Sequence, residues 1–257
     1  MMKKPESYEE VSALLASQLK PGVVTNAAVS KQELLQELKQ GTLRIQPFDG
    51  GLLLARQRGS FQRLWFYLQK EADVPDWSQE LPTVLEIPMR SRDLRLAEVV
   101  QQFQQLGFSP CFTRQRVTRK AAPVEFAPKY PVRNAELSDL EQVNHILETC
   151  FQPVTACLPT KEVLAEDISN QNVLLIPNVG VLRRIPGKAS VEVRQLAVMP
   201  QARGSGAARA LMQEHLQHWG HKTNRLWVRS DFEAALHLYK SLGFELDDWT
   251  SVVLFRS

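Results

Sequence analysis

Cysteine is scarce in this sequence, with three in 257 residues, namely Cys111, Cys150 and Cys157. An odd number of cysteines without a CxxC pair favours neither a disulfide framework nor a structural zinc site. Free thiols are typical of a reducing compartment. The sequence therefore predicts a cytoplasmic protein that holds no metal ion.

Long apolar runs and a strong net charge are also missing. No run approaches the roughly 18 apolar residues that a membrane span needs, and residues 1–10 are polar, without the apolar core of a signal peptide. The 31 Lys and Arg exceed the 28 Asp and Glu by only three, and no basic stripe typical of nucleic-acid binding stands out. We expect neither a membrane nor a nucleic acid as partner.

One proline-rich stretch interrupts an otherwise ordinary globular composition. Residues 120–131 contain three prolines in twelve positions. Proline restricts itself and the residue before it to extended backbone, which is typical of a linker. The sequence therefore predicts two domains, 1–124 and 125–257.

The second half predicts the element order β-α-α-β-β-β-α-β-α-β. Ser138 and Thr160 are hydroxyl N-caps that predict the start of two helices, and two more helices are predicted at 207–219 and 232–242. The predicted strands are residues 132–137, 172–176, 180–185, 189–198, 224–229 and 249–255.

The first half predicts a thinner version of the same order, with helices at 8–19, 31–40 and 94–105 and strands at 42–46, 51–57, 61–68, 83–88 and 108–118. Pro47 and Gly50 mirror Pro177 and Gly180, each pair at a turn between two strands, which favours an internal duplication. The alternative is that hairpins simply reuse Pro and Gly. Residues 69–81 contain no glycine and stand where the second half has a glycine loop.

That loop is conspicuous because glycine is scarce, at 12 in 257 residues. Gly204 and Gly206 lie two apart, where a predicted strand gives way to a helix. The first turn of a helix offers unpaired backbone N–H groups and a positive dipole end, and glycine lets an anion approach them. With Arg203 adding charge, the loop predicts a phosphate site. A tight turn that needs two glycines is the alternative.

Two other phosphate-binding patterns fit less well. The sequence has no G-x-x-x-x-G-K-[ST], which excludes a P-loop. A dinucleotide-binding fold would have a third glycine at position 209, where the residue is Arg209, and would have its glycines after the first strand of a βαβ unit. Asp231, at the end of the next predicted strand, could imitate the acid that binds ribose, so this alternative stays open.

The residues around the loop resemble the GNAT N-acetyltransferase superfamily. The signature Q/R-x-x-G-x-G/A of that superfamily is similar to Gln201-Ala-Arg-Gly-Ser-Gly206, and its second signature, A-x-x-L-Y-x-x-x-G-F, is similar to Ala235-Leu-His-Leu-Tyr-Lys-Ser-Leu-Gly-Phe244. The resemblance covers residues 131–257 and extends in degraded form to 1–122. It departs from the pattern at Ala208, where many members have glycine.

The resemblance implies an α/β fold of two GNAT-like domains, each a mixed, mostly antiparallel sheet flanked by helices, the second of which binds acetyl-CoA as cosubstrate. The pyrophosphate would lie on N–H groups of the loop, the pantetheine arm along the preceding strand, and the acetyl group between that strand and residues 226–228. The first domain, which lacks the loop, would bind no CoA. The implied cofactor-binding residues are Leu196, Ala197, Val198, Gln201, Arg203, Gly204, Ser205, Gly206, Ala207 and Ala208.

Acetyl transfer to an amine needs a base for the ammonium proton, an acid for the departing thiolate and a donor for the carbonyl oxygen. Glu192 is the candidate base, because its even spacing from Val198 predicts a shared strand face and some members of the superfamily have a base there. The alternatives are an ion pair of Glu192 with Arg194 and an ordered water as base. By resemblance, the backbone N–H of Ala197 or Val198 meets the carbonyl oxygen.

Tyr239 is the candidate acid, since the helical spacing of the apolar residues around it turns its ring inward, and the family pattern has a tyrosine there. An ordinary core tyrosine is the alternative. His215, His218 and His221 recur every three residues near the end of a predicted helix, where Trp219 and Gly220 interrupt them and no cysteine joins them, which indicates a solvated helix end and no metal site.

The implied activity is acyl-CoA-dependent N-acetyl transfer to an amine acceptor, a small molecule or a peptide, by a monomer or homodimer. The alternative from a different class is a module that binds an acyl-CoA or a partner without turnover. Phe232, where many members have asparagine, favours that alternative.

Overall fold

The computed structural model describes residues 2–27, 29, 31–69, 71–76, 81–127 and 129–257. Its contacts divide the chain into two compact units, Met1–Arg114 with Trp249–Ser257, and Gln115–Asp248. This division falls earlier than residue 125 and assigns the last nine residues to the first unit. The domains 1–124 and 125–257 therefore stay a prediction.

The described residues of the first unit form three helices and a sheet. Its helices are α1 (Tyr8–Gln18), α2 (Lys31–Gln40) and α3 (Leu94–Gln105), and its strands are β1 (Val24–Thr25), β2 (Leu43–Phe48), β3 (Gly51–Arg58), β4 (Phe61–Leu68) and β5 (Thr83–Arg90). The strand β6 (Ser109–Arg119) follows α3 and continues into the second unit.

The core of the first unit lies on both faces of this sheet. Alternate side chains of a strand point to opposite faces. Leu53 packs into a cluster with Phe103 of α3, whereas its neighbour Leu54 packs with Val11 of α1 and Leu34 of α2. β3 reads as a nearly continuous apolar run because both of its faces are covered.

The second unit has the predicted order of elements. It contains β7 (Arg133–Asn134), α4 (Leu140–Cys150), α5 (Lys161–Ser169), β8 (Val173–Ile176), β9 (Gly180–Pro186), β10 (Ser190–Val198), α6 (Ala207–Trp219), β11 (Thr223–Arg229), α7 (Glu233–Ser241) and the start of β12 (Glu245–Arg256). β7 is shorter than expected because Leu137–Asp139 form a 3-10 turn.

The strands β7, β8, β9 and β10 are antiparallel neighbours, and β10 pairs with β11 in parallel. Helices α6 and α7 cover one face of the sheet, and α4 and α5 cover the other. The predicted fold class is confirmed: a mixed, mostly antiparallel sheet flanked by helices.

Candidate functional site

The strands β10 and β11 run side by side only at their beginnings. Their parallel pairing extends from Ser190–Thr223 to Val193–Leu226, although β10 continues to Val198 and β11 to Arg229. Beyond the last pair, the facing edges of the two strands form no ladder with each other. The structure therefore contains a gap with a strand edge on either side, at the position expected for the acetyl group.

The backbone of Val198 faces this gap. The N–H of Met199 donates to the carbonyl of Val179 at 2.8 Å and so points toward β9. The carbonyl of Ala197 points the same way, because a Cβ added to Gly180 of β9 would lie only 2.7 Å from the carbonyl oxygen of Ala197. Since backbone groups of successive strand residues point to opposite sides, the N–H groups of Val198 and Leu196 point toward β11. The N–H of Ala197 points away from the gap.

A β-bulge at Arg194 changes the face on which Glu192 lies. The register against β9 shifts between Val193 and Gln195. As a result Val193 and Val198, five residues apart, both pack with α6 and α7, so Glu192 lies on the opposite face. The expectation that Glu192 and Val198 share a face is wrong, because it assumed uninterrupted alternation.

Glu192 is paired in the structure. Its Oε1 accepts a hydrogen bond from Nη1 of Arg194 at 2.8 Å, and 37% of its side chain is exposed. The ion pair that the sequence offered as an alternative is therefore present, and the role of base stays a prediction.

The glycine loop leads directly into α6. A 3-10 turn at Pro200–Ala202 precedes it, Gly204 and Gly206 have φ of +77° and +94°, and Gly206 is the N-cap of α6. A Cβ at either glycine would meet nothing within 4 Å. These positions need glycine for their left-handed backbone, and the same choice leaves open space in front of the first turn of α6, whose N–H groups lack intrahelical partners.

Two side chains from other segments form hydrogen bonds here, one to the backbone of the loop and one to the end of β10. The hydroxyl of Tyr130 donates to the carbonyl of Ser205 at 3.4 Å. The thiol of Cys150 donates to the carbonyl of Val198 at 3.4 Å. Burial raises the pKa of this thiol, and the neighbouring Arg203 guanidinium opposes that effect. The thiol therefore acts as a neutral donor.

Tyr239 lies inside the core beside the gap. Its ring belongs to the cluster that contains Val193 and Val228, with Leu196 and Val198 at its margin, and meets the ring of Phe244 edge-on at 5.9 Å. Burial raises the pKa of its hydroxyl, so the group keeps its proton at neutral pH. The predicted inward orientation is present, and the acid role stays a prediction.

A buried hydrogen-bond network ties the loop after α4 to the sheet. Arg183 donates to Asp167 of α5 at 2.6 Å and to the side-chain oxygen of Gln195 at 3.0 Å, and Gln195 donates to the carbonyl of Cys157 at 3.0 Å. This network was not predicted from the sequence, because contacts between separate elements leave no periodic signal. The signal in the sequence that could have indicated buried polar contacts is the pair Arg183 and Arg184 inside an otherwise apolar strand.

The three histidines at and just after the end of α6 do not form one exposed group. His218 and His221 are exposed as predicted, but His215 is fully buried, so the prediction of a solvated position is wrong there. Its Nε2 lies 2.7 Å from Oδ1 of Asn224. The amide nitrogen of Asn224 donates to two backbone carbonyls, so Oδ1 accepts and Nε2 carries the proton of a neutral ring. Burial and the nearby Arg184 lower the pKa of His215 to about 3.

His215 is expected to make folding sensitive to mild acid. Because its folded pKa lies below its unfolded value of about 6.5, the stabilisation is complete above pH 6.5 and is lost as the pH falls toward 3. This group alone should lower the free energy of unfolding by about 2 kcal/mol between pH 7 and pH 5. Urea unfolding at both pH values should show a flatter pH dependence for His215→Gln, and an unchanged dependence for the exposed His218→Gln. Equal slopes for His215→Gln and the wild type would contradict the assignment.

Within the described part of the chain, none of the helices has the length and apolarity to cross a bilayer. Among the same residues, His, Cys, Asp and Glu side chains nowhere gather in threes that could hold a metal ion.

Comparison with known proteins gives one family match and several similar folds. Residues 163–246 match the model described as an acetyltransferase (GNAT) domain. A GCN5-related N-acetyltransferase from Sphaerobacter thermophilus is similar with a TM-score of 0.63 and 15% identity over 100% of this chain and 95% of that one. A putative acetyltransferase from Pyrococcus horikoshii has a TM-score of 0.61 and 9% identity over 100% and 89%. A GNAT-family acetyltransferase from Colwellia psychrerythraea is similar with a TM-score of 0.58 and 12% identity over 99% of this chain and 98% of that one. No curated protein sequence matches the chain.

The family match includes the gap between β10 and β11, the glycine loop and Tyr239. At these low identities the solved structures show a shared fold, which extends over the whole chain. Residues 163–246 are therefore similar to the GNAT acetyltransferase domain, and the chain has the GNAT fold.

Proposed function

We propose that the second unit transfers an acetyl group from acetyl-CoA to an amine acceptor, a small molecule or a peptide. The observation that supports this most is the parting of β10 and β11 beside a glycine loop that opens α6. The gap offers backbone groups to an extended amide chain, and the loop offers N–H groups to a phosphate. The β10 edge of the gap and the glycine loop are within one short segment, residues 190–207.

The residues of the site fit acetyl-CoA. A pantetheine arm carries amides that can bond to a strand edge as an added strand does, and the backbone groups of Leu196 and Val198 point toward β11. The positive-φ glycines leave space for a diphosphate at the N-terminus of α6. The cosubstrate supplies a thioester whose carbonyl carbon accepts the amine. We assign the remaining predicted contacts with acetyl-CoA to Gln201, Arg203, Ser205, Ala207 and Ala208.

Backbone and side-chain groups around the gap would stabilise the developing charge and transfer protons. The N–H of Val198 would donate to the carbonyl oxygen as it gains charge; the N–H of Ala197, which faces β9, would not. Tyr239, kept protonated by burial, would donate its proton to the departing sulfur. Glu192 would take the proton of the ammonium, directly or through a water, once its pair with Arg194 opens.

Release of free CoA thiol from acetyl-CoA tests this function. We expect calorimetry to give one acetyl-CoA per chain, and a panel of amines (a polyamine, free amino acids and short peptides) to contain at least one that accelerates thiol release. Binding without amine-dependent release would instead identify an acyl-CoA-binding module. The exposed Phe232, stacked on Arg229 at 4.6 Å, is the observation that favours that candidate. Thermal stabilisation by NAD(P) and none by acetyl-CoA would identify a dinucleotide site.

Glu192→Gln separates the base from the ion pair. The substitution keeps the shape of the side chain but accepts no proton. If Glu192 is the base, the rate at neutral pH should fall on the order of 10²-fold and recover as the pH approaches the pKa of the acceptor amine. Arg194→Gln, which breaks the same ion pair, is the control and should keep the wild-type pH–rate profile. Identical profiles for wild type and Glu192→Gln would transfer the role to an ordered water.

A further inference from the structure

The first unit contains a second pair of parallel strands that separate along their length. β4 and β5 pair only at Gln62–Thr83 and Arg63–Val84, although β4 continues to Leu68 and β5 to Arg90. Past these two pairs, β4 and β5 form no ladder with each other. This is the same arrangement that β10 and β11 have in the second unit, and we call the space between β4 and β5 the first cleft.

Residues 24–26 occupy the first cleft. Val24 and Thr25 form β1, which pairs antiparallel with Leu68 and Tyr67 of β4. The segment is also packed on both sides, since Val24 joins the cluster on the α3 face while Val23 and Ala27 join the cluster on the face of α1 and α2. It is therefore inserted in the sheet as a short strand.

The side chain of Asn26 bridges the two strands of the cleft. Its amide nitrogen donates to the carbonyl of Leu64 in β4 at 3.1 Å and to the carbonyl of Glu86 in β5 at 2.9 Å. Its Oδ1 accepts from the N–H of Phe66 at 2.8 Å. Only 9% of the residue is exposed. Three backbone groups that no ladder satisfies are thus satisfied by one buried amide.

Thr25 completes this arrangement. Its hydroxyl donates to the carbonyl of Phe66 at 2.6 Å and accepts from the N–H of Ala27 at 2.9 Å. Both backbone groups of Phe66 are therefore bonded to side chains of the inserted segment. A buried backbone group left without a partner is costly, so the cleft requires an occupant with amide-like donors and acceptors.

We propose that the first cleft is a binding site whose ligand is the chain's own residues 24–26, an extended segment that offers a primary amide, and that this intramolecular ligand closes the site to acyl-CoA. A covalently attached ligand acts at an effective concentration on the order of millimolar. A free acyl-CoA competing for these strand edges would also lack a glycine loop, because residues 69–81 contain no glycine. The inference concerns only the first unit and does not depend on catalysis in the second.

Amide hydrogen exchange of the full chain, followed by NMR, tests the proposal. In Asn26→Ala, exchange of the Phe66 amide should accelerate on the order of tenfold, because its acceptor is removed. The amide of Trp65, which faces β3 since alternate amides point to opposite sides, is the internal control and should change less. The exposed Asn134→Ala is the control variant and should leave both amides unchanged. Unaltered Phe66 exchange in Asn26→Ala would overturn the proposal.

Acetyl-CoA as probe tests the closure. Added to the wild type, it should leave the Phe66 amide unchanged; altered exchange there would show that the ligand enters the first cleft and would overturn the proposal. Protection of the Val198 amide by acetyl-CoA tests the proposed function separately. If the Val198 amide is not protected, the proposed function fails, and the comparison of Asn26→Ala with the wild type still decides the proposal for the first cleft. If Asn26→Ala does not fold, Thr25→Val takes its place, because it removes the hydrogen bond to the Phe66 carbonyl. Exchange of the Phe66 amide in Thr25→Val should be about two- to fivefold faster than in the wild type. Equal exchange rates in this variant and the wild type would overturn the proposal.

Discussion

Gly206→Asp is expected to weaken acetyl-CoA binding at least about 10²-fold relative to Gly206→Asn. Asp and Asn have the same shape, and both adopt positive φ more readily than other side-chain-bearing residues, so the backbone cost at φ +94° is shared. They differ in charge. The aspartate would lie at the N-cap of α6, where it would bond to the same N–H groups and repel a diphosphate.

Stability distinguishes this effect from unfolding. Asp is a favoured N-cap residue and a negative charge suits the N-terminus of a helix, so Gly206→Asp should unfold at a temperature no lower than that of Gly206→Asn. Calorimetry near physiological salt measures the affinity, and the difference between the variants should shrink as salt screens the charge. Equal affinities for the two variants would remove the loop from the cofactor site.

Tyr239→Phe is the second large effect that we expect. The change should lower kcat on the order of 10²-fold and leave the KM for acetyl-CoA nearly unchanged. Only the proton donor is lost, because the phenylalanine ring retains the edge-on contact with Phe244 and its place in the cluster. Steady-state thiol release with a fixed amine measures both constants.

Tyr67 provides the matched control for that experiment. It is also a buried tyrosine whose pKa is raised by burial, but it lies in β4 of the first unit. Tyr67→Phe should therefore keep the wild-type kcat. A wild-type kcat in Tyr239→Phe would mean that this tyrosine only packs, and the proton for the sulfur would have to come from solvent.

The signals that predicted the second unit are local ones. The hydroxyl of Thr160 caps α5 by accepting from the N–H of Val163, and the strand-to-helix step with two glycines produced the left-handed N-cap of α6. Both depend on residues within one turn of each other, so they can be read from the sequence. Tyr239 was turned inward by the same helical periodicity that buries its neighbours.

The errors come from features that depend on more distant partners. The bulge at Arg194 is a property of how β10 pairs with β9, and its trace in the sequence is only the two successive polar residues, Arg194 and Gln195, between Val193 and Leu196. His215 lies on the stripe of α6 with Leu211 and Met212, but its burial depends on Asn224 of β11, whose Oδ1 accepts a hydrogen bond from Nε2. Residues 24–26 carry no periodic signal, because a two-residue strand is too short to show one.

The C-terminal strand has a consequence for the order in which the protein folds during synthesis. Residues Trp249 to Arg256 pair along the whole of β5, so the sheet of the first unit lacks one neighbour strand until the ribosome has made the residues of the second unit. Domains usually fold in the order in which they emerge. Here the unit that emerges first is completed last, and β5 has an unpaired edge, open to wrong partners, for as long as translation of the intervening residues takes.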